Sequence, residues 1–317
     1  MICFVCKIKQ RRNEGISVYL NNVMGELLYE KIRREFGQSD MERDKNERTP
    51  DDIERFDDIL YGEDKEYNVL DVYRPKEYRG NNLPVIISVH GGAWVYGSKE
   101  VYQYYCMKLA QRGFAVVNFT YRLAPECKFP AAIIDLKNVC QWIVDNKKEY
   151  GFDIDNVFAV GDSAGAHMLG LYAGIATNTE ASDAYNIIHP KKVKLRAIAL
   201  NCGKFVMDEQ DKLTEDNVYK YIFEDGGTQE ELKKAEVTRY ITPEYPSTFI
   251  MTCPGDFLKD QAKYMVFKLE ENDVSFAYHF YGNNKNKLSH VFHCSPTLEE
   301  AVICNDDECN FFKNYMK

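Results

Sequence analysis

A serine between two glycines is the residue in this sequence best suited to covalent chemistry. Residues 161–165 read GDSAG and fit the pattern G-x-S-x-G, with Ser163 at its centre. An apolar segment typical of a strand precedes the pattern, and small and apolar residues typical of a helix follow it. In that setting the serine lies on a tight strand-to-helix turn, where only glycine lets helix and strand approach closely. The pattern therefore predicts Ser163 as a nucleophile.

Paired glycines after an earlier strand predict donors for the negative oxygen that forms when a serine attacks a carbonyl. The segment HGGAW at residues 90–94 directly follows the strand-like VIISV. Acyl transfer needs two or three backbone N–H groups around that oxygen, one of them from the residue after the serine. The expected oxyanion donors are the N–H groups of Gly91, Gly92, Ala93 and Ala164. His90 is interpreted as a structural residue that braces this loop.

Three motifs in this order resemble those of the hormone-sensitive-lipase-like esterases of the α/β-hydrolase fold. They are HGGAW, then YRLAPE at 121–126 with FPAA at 129–132, then GDSAG. The resemblance extends from Tyr67 to the C-terminus. In this family the oxyanion loop usually reads HGGG, whereas here Ala93 replaces the third glycine and still supplies an N–H. The resemblance implies a mostly parallel eight-stranded sheet flanked by helices, a small cap, and hydrolysis of carboxylic esters without a cofactor or metal.

The resemblance also places an acid and then a histidine base after the serine in the chain. Near the C-terminus the family has an H-x-F pattern, which His290 and Phe292 match. His293 is the alternative base. An imidazole base predicts that activity falls as the pH drops below neutrality.

Asp256 is the predicted acid that orients the base. It follows the strand-like STFIMT across a Pro-Gly turn, which brings its carboxylate to the same edge of the sheet as Ser163. The family pattern G-x-x-D-x-L-x-D matches only in part, because here a glycine directly precedes the aspartate. Asp260 is interpreted as a residue at a helix start, and the alternative for Asp256 is a simple turn residue.

Aromatic residues near these motifs predict the substrate pocket. Trp94 and Tyr96 follow the oxyanion loop and are expected to contact substrate. Three tyrosines of a later insertion are expected to line the pocket from above: Tyr219, Tyr221 and Tyr240. In the loop at 121–126, Arg122 and Glu126 are expected to form an internal ion pair.

The chain divides into an extension and a catalytic domain. Residues 1–66 contain an apolar stripe of helical spacing at 18–36 and a charged segment in which residues 49–52 resemble a helix start. We interpret 1–66 as a helical extension that is part of the cap. Residues 67–317 alternate between strand-like and helix-like segments, as in a parallel sheet covered on both faces. The irregular stretch at about 204–245 predicts a cap-like insertion.

Composition limits the partners. Forty basic and 49 acidic residues give a net charge of −9, which argues against nucleic acid and anionic membranes as partners. The 10 cysteines do not repeat at zinc-site spacing and are expected to be reduced. The N-terminus lacks the order of charge and apolar residues of a signal peptide, so we expect a cytoplasmic protein. The oligomeric state stays open, with a homodimer possible.

The sequence as a whole predicts a serine carboxylesterase. It would hydrolyse short acyl or aryl esters of small molecules through an acyl-enzyme on Ser163. Two alternative reactions stay open. One is an acetyl or feruloyl esterase acting on plant-derived oligosaccharides, and the other is an amide or formamide hydrolase with the same triad.

Overall fold

An eight-stranded sheet organises the part of the chain that the structure describes. The computed structural model describes residues 27–207, 217–283 and 285–317. The sheet order is β1-β2-β4-β3-β5-β6-β7-β8. The strands are β1 (Ile53–Leu60), β2 (Val69–Pro75), β3 (Leu83–Val89), β4 (Ala115–Phe119), β5 (Phe152–Asp162), β6 (Leu195–Asn201), β7 (Ser247–Thr252) and β8 (Phe276–Phe280). β2 pairs antiparallel with both β1 and β4, and the other pairs are parallel. The predicted mostly parallel eight-stranded sheet is confirmed.

Helices cover both faces of this sheet. In the described ranges the α-helices are α1 (Leu28–Asp44), α2 (Lys99–Ala110), α3 (Ala131–Asn146), α4 (Ala164–Thr177), α5 (Thr179–Tyr185), α6 (Tyr219–Ile222), α7 (Gln229–Ala235), α8 (Ala262–Glu271) and α9 (Glu299–Lys313). One apolar cluster joins the sheet to α3, α4 and α8, and a second joins it to α2 and α9. The central strands are therefore buried on both sides, as their continuous apolar runs require.

The sheet begins earlier in the chain than the sequence indicated. β1 lies within residues 1–66, which were predicted as a helical extension, and residues 49–52 lead into this strand instead of starting a helix. The sequence pattern did not indicate β1, because it is an edge strand with charged residues on an exposed face. Of the predicted helical stripe at 18–36, residues 18–26 lie outside the described residues, and α1 covers the rest from Leu28.

The insertion at 204–245 packs together with α1. Its α6 and α7 contribute to an apolar cluster that includes Ile222 and Leu232, and Tyr29 and Ile32 of α1 pack against that cluster. The rings of Tyr29 and Tyr221 lie 5.0 Å apart, edge to face. The two predicted cap segments are thus in contact in the structure. Among the described residues, no helix has both the length and the apolar composition to cross a membrane.

Candidate active site

Ser163 occupies a strained turn between β5 and α4. Its backbone has φ 52° and ψ −117°, a conformation that non-glycine residues rarely adopt outside functional sites. A Cβ on Gly165 would lie 2.1 Å from the Val89 carbonyl oxygen, and one on Gly161 would lie 2.7 Å from the Gly165 carbonyl oxygen. Both glycines of the motif are therefore required by close approach. The Ser163 N–H donates to the Asn201 carbonyl at 2.9 Å.

A continuous hydrogen-bonded chain joins three of the predicted residues. His290 Nε2 lies 3.0 Å from Ser163 Oγ, and His290 Nδ1 lies 2.7 Å from Asp256 Oδ1. In the tautomer that this arrangement requires, Nδ1–H donates to Asp256 and Nε2 accepts from the serine hydroxyl. The structure thus brings Ser163, His290 and Asp256 together, with Asp256 buried and the other two partly exposed.

Asp256 is held in its charged form by three donors. Besides His290, the Thr252 hydroxyl donates to Oδ2 at 2.6 Å and the Leu258 N–H donates to Oδ1 at 2.8 Å. Burial alone would raise the pKa of this carboxyl, but these hydrogen bonds outweigh it and hold the pKa below its usual value. Asp256 is therefore ionised at neutral pH and can orient the imidazole.

His90 and His293 are both buried, and their contacts are structural. His90 stacks on Tyr121 with ring centroids 3.9 Å apart, and its Nδ1 donates to the Gly91 carbonyl at 2.7 Å. Burial lowers the pKa of His90 to about 4 and that of His293 to about 3, so both are neutral. His293, the alternative base, lies next to Cys294 Sγ at 3.5 Å.

The loop after β3 contains three of the predicted oxyanion donors, and one of them needs correction. The Gly91 N–H donates to the Tyr102 hydroxyl at 3.0 Å, so it is not free for an oxyanion. Within the described residues, no hydrogen bond takes up the N–H groups of Gly92, Ala93 or Ala164. Gly92 and Ala93 have φ of 118° and 52°, which for the non-glycine Ala93 is a rarely adopted backbone conformation.

A cavity of about 270 Å³ opens in front of Ser163. Its walls come from the loop after β3, the turn after β5, the loop of His290 and α1, which belongs to the extension predicted as part of the cap. The α1 residues are Phe36, Ser39, Asp40 and Arg43. Tyr96 lines the cavity as predicted from its position, and its hydroxyl donates to Asp40 Oδ2 at 2.8 Å. The four α1 residues were not among the predicted site residues, because no motif in this charged segment indicates that it faces a cavity.

The structure places the other predicted pocket aromatics elsewhere. The Trp94 indole N–H donates to His167 Nδ1 at 3.1 Å, which turns this ring toward α4. Tyr219 and Tyr240 are buried in the apolar clusters, and Tyr221 packs on Tyr29. These four aromatic residues are not among the described residues that line the cavity at Ser163.

The predicted ion pair between Arg122 and Glu126 is wrong. Arg122 binds Asp135 of α3, with nitrogen–oxygen distances of 2.8 to 3.0 Å. Glu126 instead accepts two hydrogen bonds from Arg33 of α1 at 2.8 and 2.6 Å. The two charges lie in one loop but face different helices, so each pairs with a side chain distant in sequence.

Behind the serine lies a buried polar network that the sequence did not indicate. Asp162 Oδ2 accepts from the Tyr102 hydroxyl at 2.7 Å, and burial raises the pKa of Asp162 to about 7. Glu308 of α9 accepts from Tyr105 at 3.0 Å and from the Asn201 amide at 2.7 Å. Burial raises the pKa of Glu308 to about 7 as well.

Two groups of described side chains bring potential metal-ligand atoms within 4.8 Å of one another. They are Asp162 with His293 and Cys294, and Cys202 with Asp256 and His290. In the second group the Asp256–His290 hydrogen bond of 2.7 Å is too short to leave room for an ion between those two atoms. In the first group Asp162 is already bonded to Tyr102. The expectation of a metal-free site stays a prediction.

The sheet order and the serine on the turn after β5 define the α/β-hydrolase fold. The chain belongs to the BD-FAE family, whose family model matches residues 70–264. Esterase LipQ of Mycobacterium tuberculosis is 26% identical over 257 residues, covering 78% of this chain and 59% of LipQ. An arylesterase of Saccharolobus solfataricus is 28% identical over 248 residues, covering 73% of this chain and 74% of that protein.

Among solved structures, esterase B of Lactobacillus rhamnosis superposes with a TM-score of 0.82. It is 23% identical, and the match covers 91% of this chain and 95% of the esterase. At that identity the similarity establishes the fold alone. The chain spans less than two thirds of the length of LipQ.

Proposed function

We propose that this chain is a serine carboxylesterase that hydrolyses short acyl or aryl esters. The observation that carries the proposal is the unbroken contact from Asp256 through His290 to Ser163, at 2.7 and 3.0 Å. The names of the curated relatives, which include an esterase and an arylesterase, support the same chemistry.

In the first half of the reaction, Ser163 Oγ attacks the ester carbonyl carbon while His290 Nε2 takes the hydroxyl proton. The carbonyl π electrons move to oxygen, and the N–H groups of Gly92, Ala93 and Ala164 are the proposed donors to that oxyanion. The intermediate collapses, the carbon–oxygen bond to the alcohol breaks, and His290 gives its proton to the leaving alkoxide.

In the second half, water replaces the alcohol. His290 takes a proton from water, the resulting hydroxide oxygen attacks the acyl carbon, and Ser163 leaves with the proton returned by His290. Asp256 holds the imidazole in one tautomer and stabilises its protonated form in both halves. The products are one carboxylic acid and one alcohol.

The proposed size limit on the substrate comes from the cavity. Its volume of about 270 Å³ lies below the range of about 300–1,000 Å³ typical of drug-sized ligands. Phe36 of α1 and Phe257 beside His290 border it. These dimensions support short acyl or compact aromatic groups over long chains.

The cytoplasmic location also stays a proposal. Its support is that the eight cysteines described by the structure are free thiols, as in a reducing compartment. Cell fractionation with an antibody to the chain would test it. Small-molecule esters are the proposed partners, and a homodimer remains a prediction.

The decisive experiment measures hydrolysis of p-nitrophenyl esters from acetate to laurate, beside a p-nitroanilide and acetylated and feruloylated oligosaccharides. We expect the highest kcat/KM for acyl chains of about two to six carbons. Ser163→Ala should lower kcat at least about 1,000-fold, because the nucleophile is lost.

A fluorophosphonate probe provides the control. It should label the wild-type chain at one site and fail to label Ser163→Ala. Ester hydrolysis by Ser163→Ala at the wild-type rate would refute the proposal. Turnover of the anilide with no ester turning over would do the same and favour an amidase.

A further inference from the structure

One hydroxyl joins the two halves of the candidate site. Tyr102 lies in the first turn of α2 and is buried, with 7% of its surface exposed. Its oxygen accepts the Gly91 N–H at 3.0 Å and donates to Asp162 Oδ2 at 2.7 Å. Gly91 belongs to the oxyanion loop, and Asp162 directly precedes the serine. The two segments leave neighbouring strands, since Val89 of β3 is paired with Gly161 of β5.

Gly91, Asp162 and Tyr102 are closely packed. A Cβ on Gly91 would lie 2.5 Å from Asp162 Oδ2 and 3.0 Å from the Tyr102 hydroxyl. The Gly91 backbone therefore lies directly against the carboxyl and the hydroxyl. Any shift of Tyr102 would move the peptide that precedes the proposed oxyanion donors.

The loop needs such external contacts to keep its shape. Gly92, Ala93 and Trp94 all have positive φ, and for the two non-glycine residues this conformation is intrinsically unfavourable. Strained backbone of this kind persists only where surrounding contacts hold it. Tyr121 supplies one such contact, donating to the His90 carbonyl at 2.9 Å, and Tyr102 supplies the next one along the chain.

We propose that Tyr102, supported by Asp162, is a positioning residue for the oxyanion donors of the esterase reaction. By holding the Gly91 N–H, the Tyr102 hydroxyl turns the following N–H groups, those of Gly92 and Ala93, toward the substrate oxygen. The inference rests on the proposed function. It adds a second hydrogen-bonded chain, Asp162–Tyr102–Gly91, beside the Asp256–His290–Ser163 chain. Tyr102 exchanges no proton with the substrate.

The test is Tyr102→Phe, which keeps the ring and removes the hydroxyl. We expect kcat to fall about 10- to 100-fold with KM within about twofold, because oxyanion contacts act mainly in the transition state. Tyr104→Phe on the same helix is the matched control, since Tyr104 is only partly buried among apolar residues. It should leave both constants unchanged.

A second readout separates positioning from loss of structure. A trifluoromethyl ketone accepts Ser163 Oγ at its carbonyl carbon, its oxygen becomes the oxyanion, and the proton goes to His290. Its inhibition constant should rise in parallel with the fall in kcat/KM for Tyr102→Phe. The matching methyl ketone, which forms no such adduct, should bind wild type and variant equally. Rates are normalised to sites titrated with fluorophosphonate.

Asp162→Asn provides the second variant. Its side-chain oxygen can still accept from Tyr102, so kcat should fall less than in Tyr102→Phe, and the double variant should lose less than the product of the two single effects. Purely additive effects would contradict the proposal that Asp162 acts through Tyr102.

The failures are distinguishable. If wild type turns over no ester, or Ser163→Ala keeps the wild-type rate, the proposed function fails. If those controls behave as expected but Tyr102→Phe keeps its kcat and its affinity for the trifluoromethyl ketone, only this inference is refuted. An effect confined to thermal stability would refute it too.

Discussion

At the scale of single residues, a hydroxyl outside the Ser163–His290–Asp256 chain holds the carboxyl group of Asp256. Thr252 of β7 donates to Oδ2, which leaves Oδ1 facing His290. Thr248 of the same strand is equally buried, and its hydroxyl donates to the Pro246 carbonyl at 2.8 Å, far along the strand from the serine. These two threonines are a matched pair.

Replacing each by valine should separate stability from catalysis. Both variants lose one buried hydrogen bond, which costs about 1 kcal/mol of unfolding free energy. Only Thr252→Val should also lower kcat, about fivefold, because Asp256 is then less firmly held. Denaturant unfolding and steady-state kinetics on one p-nitrophenyl ester measure both effects. Equal kcat values for the two variants would contradict the assignment.

Residue types in sequence motifs could be predicted, whereas their supporting contacts could not. Ser163, His290 and Asp256 fall in patterns that demand particular neighbours, and the structure brings them together. Tyr102 is one of several aromatic residues in an ordinary helical segment, and Asp162 is the variable position of G-x-S-x-G. Their meaning depends on which strands become neighbours, and a local pattern does not contain that information.

At the scale of elements, α1 forms one wall of the cavity, and Arg33 is one of its anchors. Its guanidinium donates to the Val95 carbonyl at 2.7 Å, to the Ala124 carbonyl at 3.0 Å and to both oxygens of Glu126. A planar guanidinium suits this multiple contact better than an ammonium does. The anchor therefore ties the helix to two loops beside the serine.

Arg33→Ala should raise KM roughly five- to tenfold with a smaller change in kcat, because a loosened α1 weakens the cavity wall. Arg33→Lys should give an intermediate value. Arg34→Ala is the control, since Arg34 lies next in the chain with about half of its side chain exposed. An unchanged KM for Arg33→Ala would show that α1 does not close the cavity in the working enzyme.

The central strands after residue 67 could be predicted from their apolar runs, because they are buried on both faces of the sheet. β1 and the contacts of α1 could not. Among the described residues β1 pairs with β2 alone and therefore borders the sheet, so charged residues are tolerated on it. In α1, Asp40 and Arg43 bind each other. Asp40 also accepts a hydrogen bond from Tyr96, and Arg43 donates one to the Val101 carbonyl, so neither side chain points only to water.

At the scale of the whole molecule, buried carboxyl groups predict how stability depends on pH. Burial raises the pKa of Glu308 from its ordinary value of 4.5 to about 7. The folded state therefore holds this proton more tightly than the unfolded state. The stability contributed by that proton is complete below about pH 4.5 and is lost as the pH rises through 7. Asp162, with its pKa raised to about 7, acts in the same direction.

Glu308→Gln removes one of these ionisations while keeping an acceptor for Asn201. The free energy of unfolding of the variant relative to wild type should rise by about 2–3 kcal/mol between pH 5 and pH 8. Its melting temperature relative to wild type should rise over the same range. Glu299→Gln, an exposed position of the same helix, should show no such trend. Calorimetry at several pH values measures the difference, and a constant offset would contradict the assignment.

The hydrogen bond between Ser163 and His290 joins residues 127 positions apart in the chain. Contacts of such large sequence separation are slow to form, since a long loop must close before they can exist. The loop that they close contains β6, β7 and β8, so every one of these strands must be in place before the serine meets its base. Recovery of the proposed esterase activity during refolding is thus expected to lag behind recovery of secondary structure.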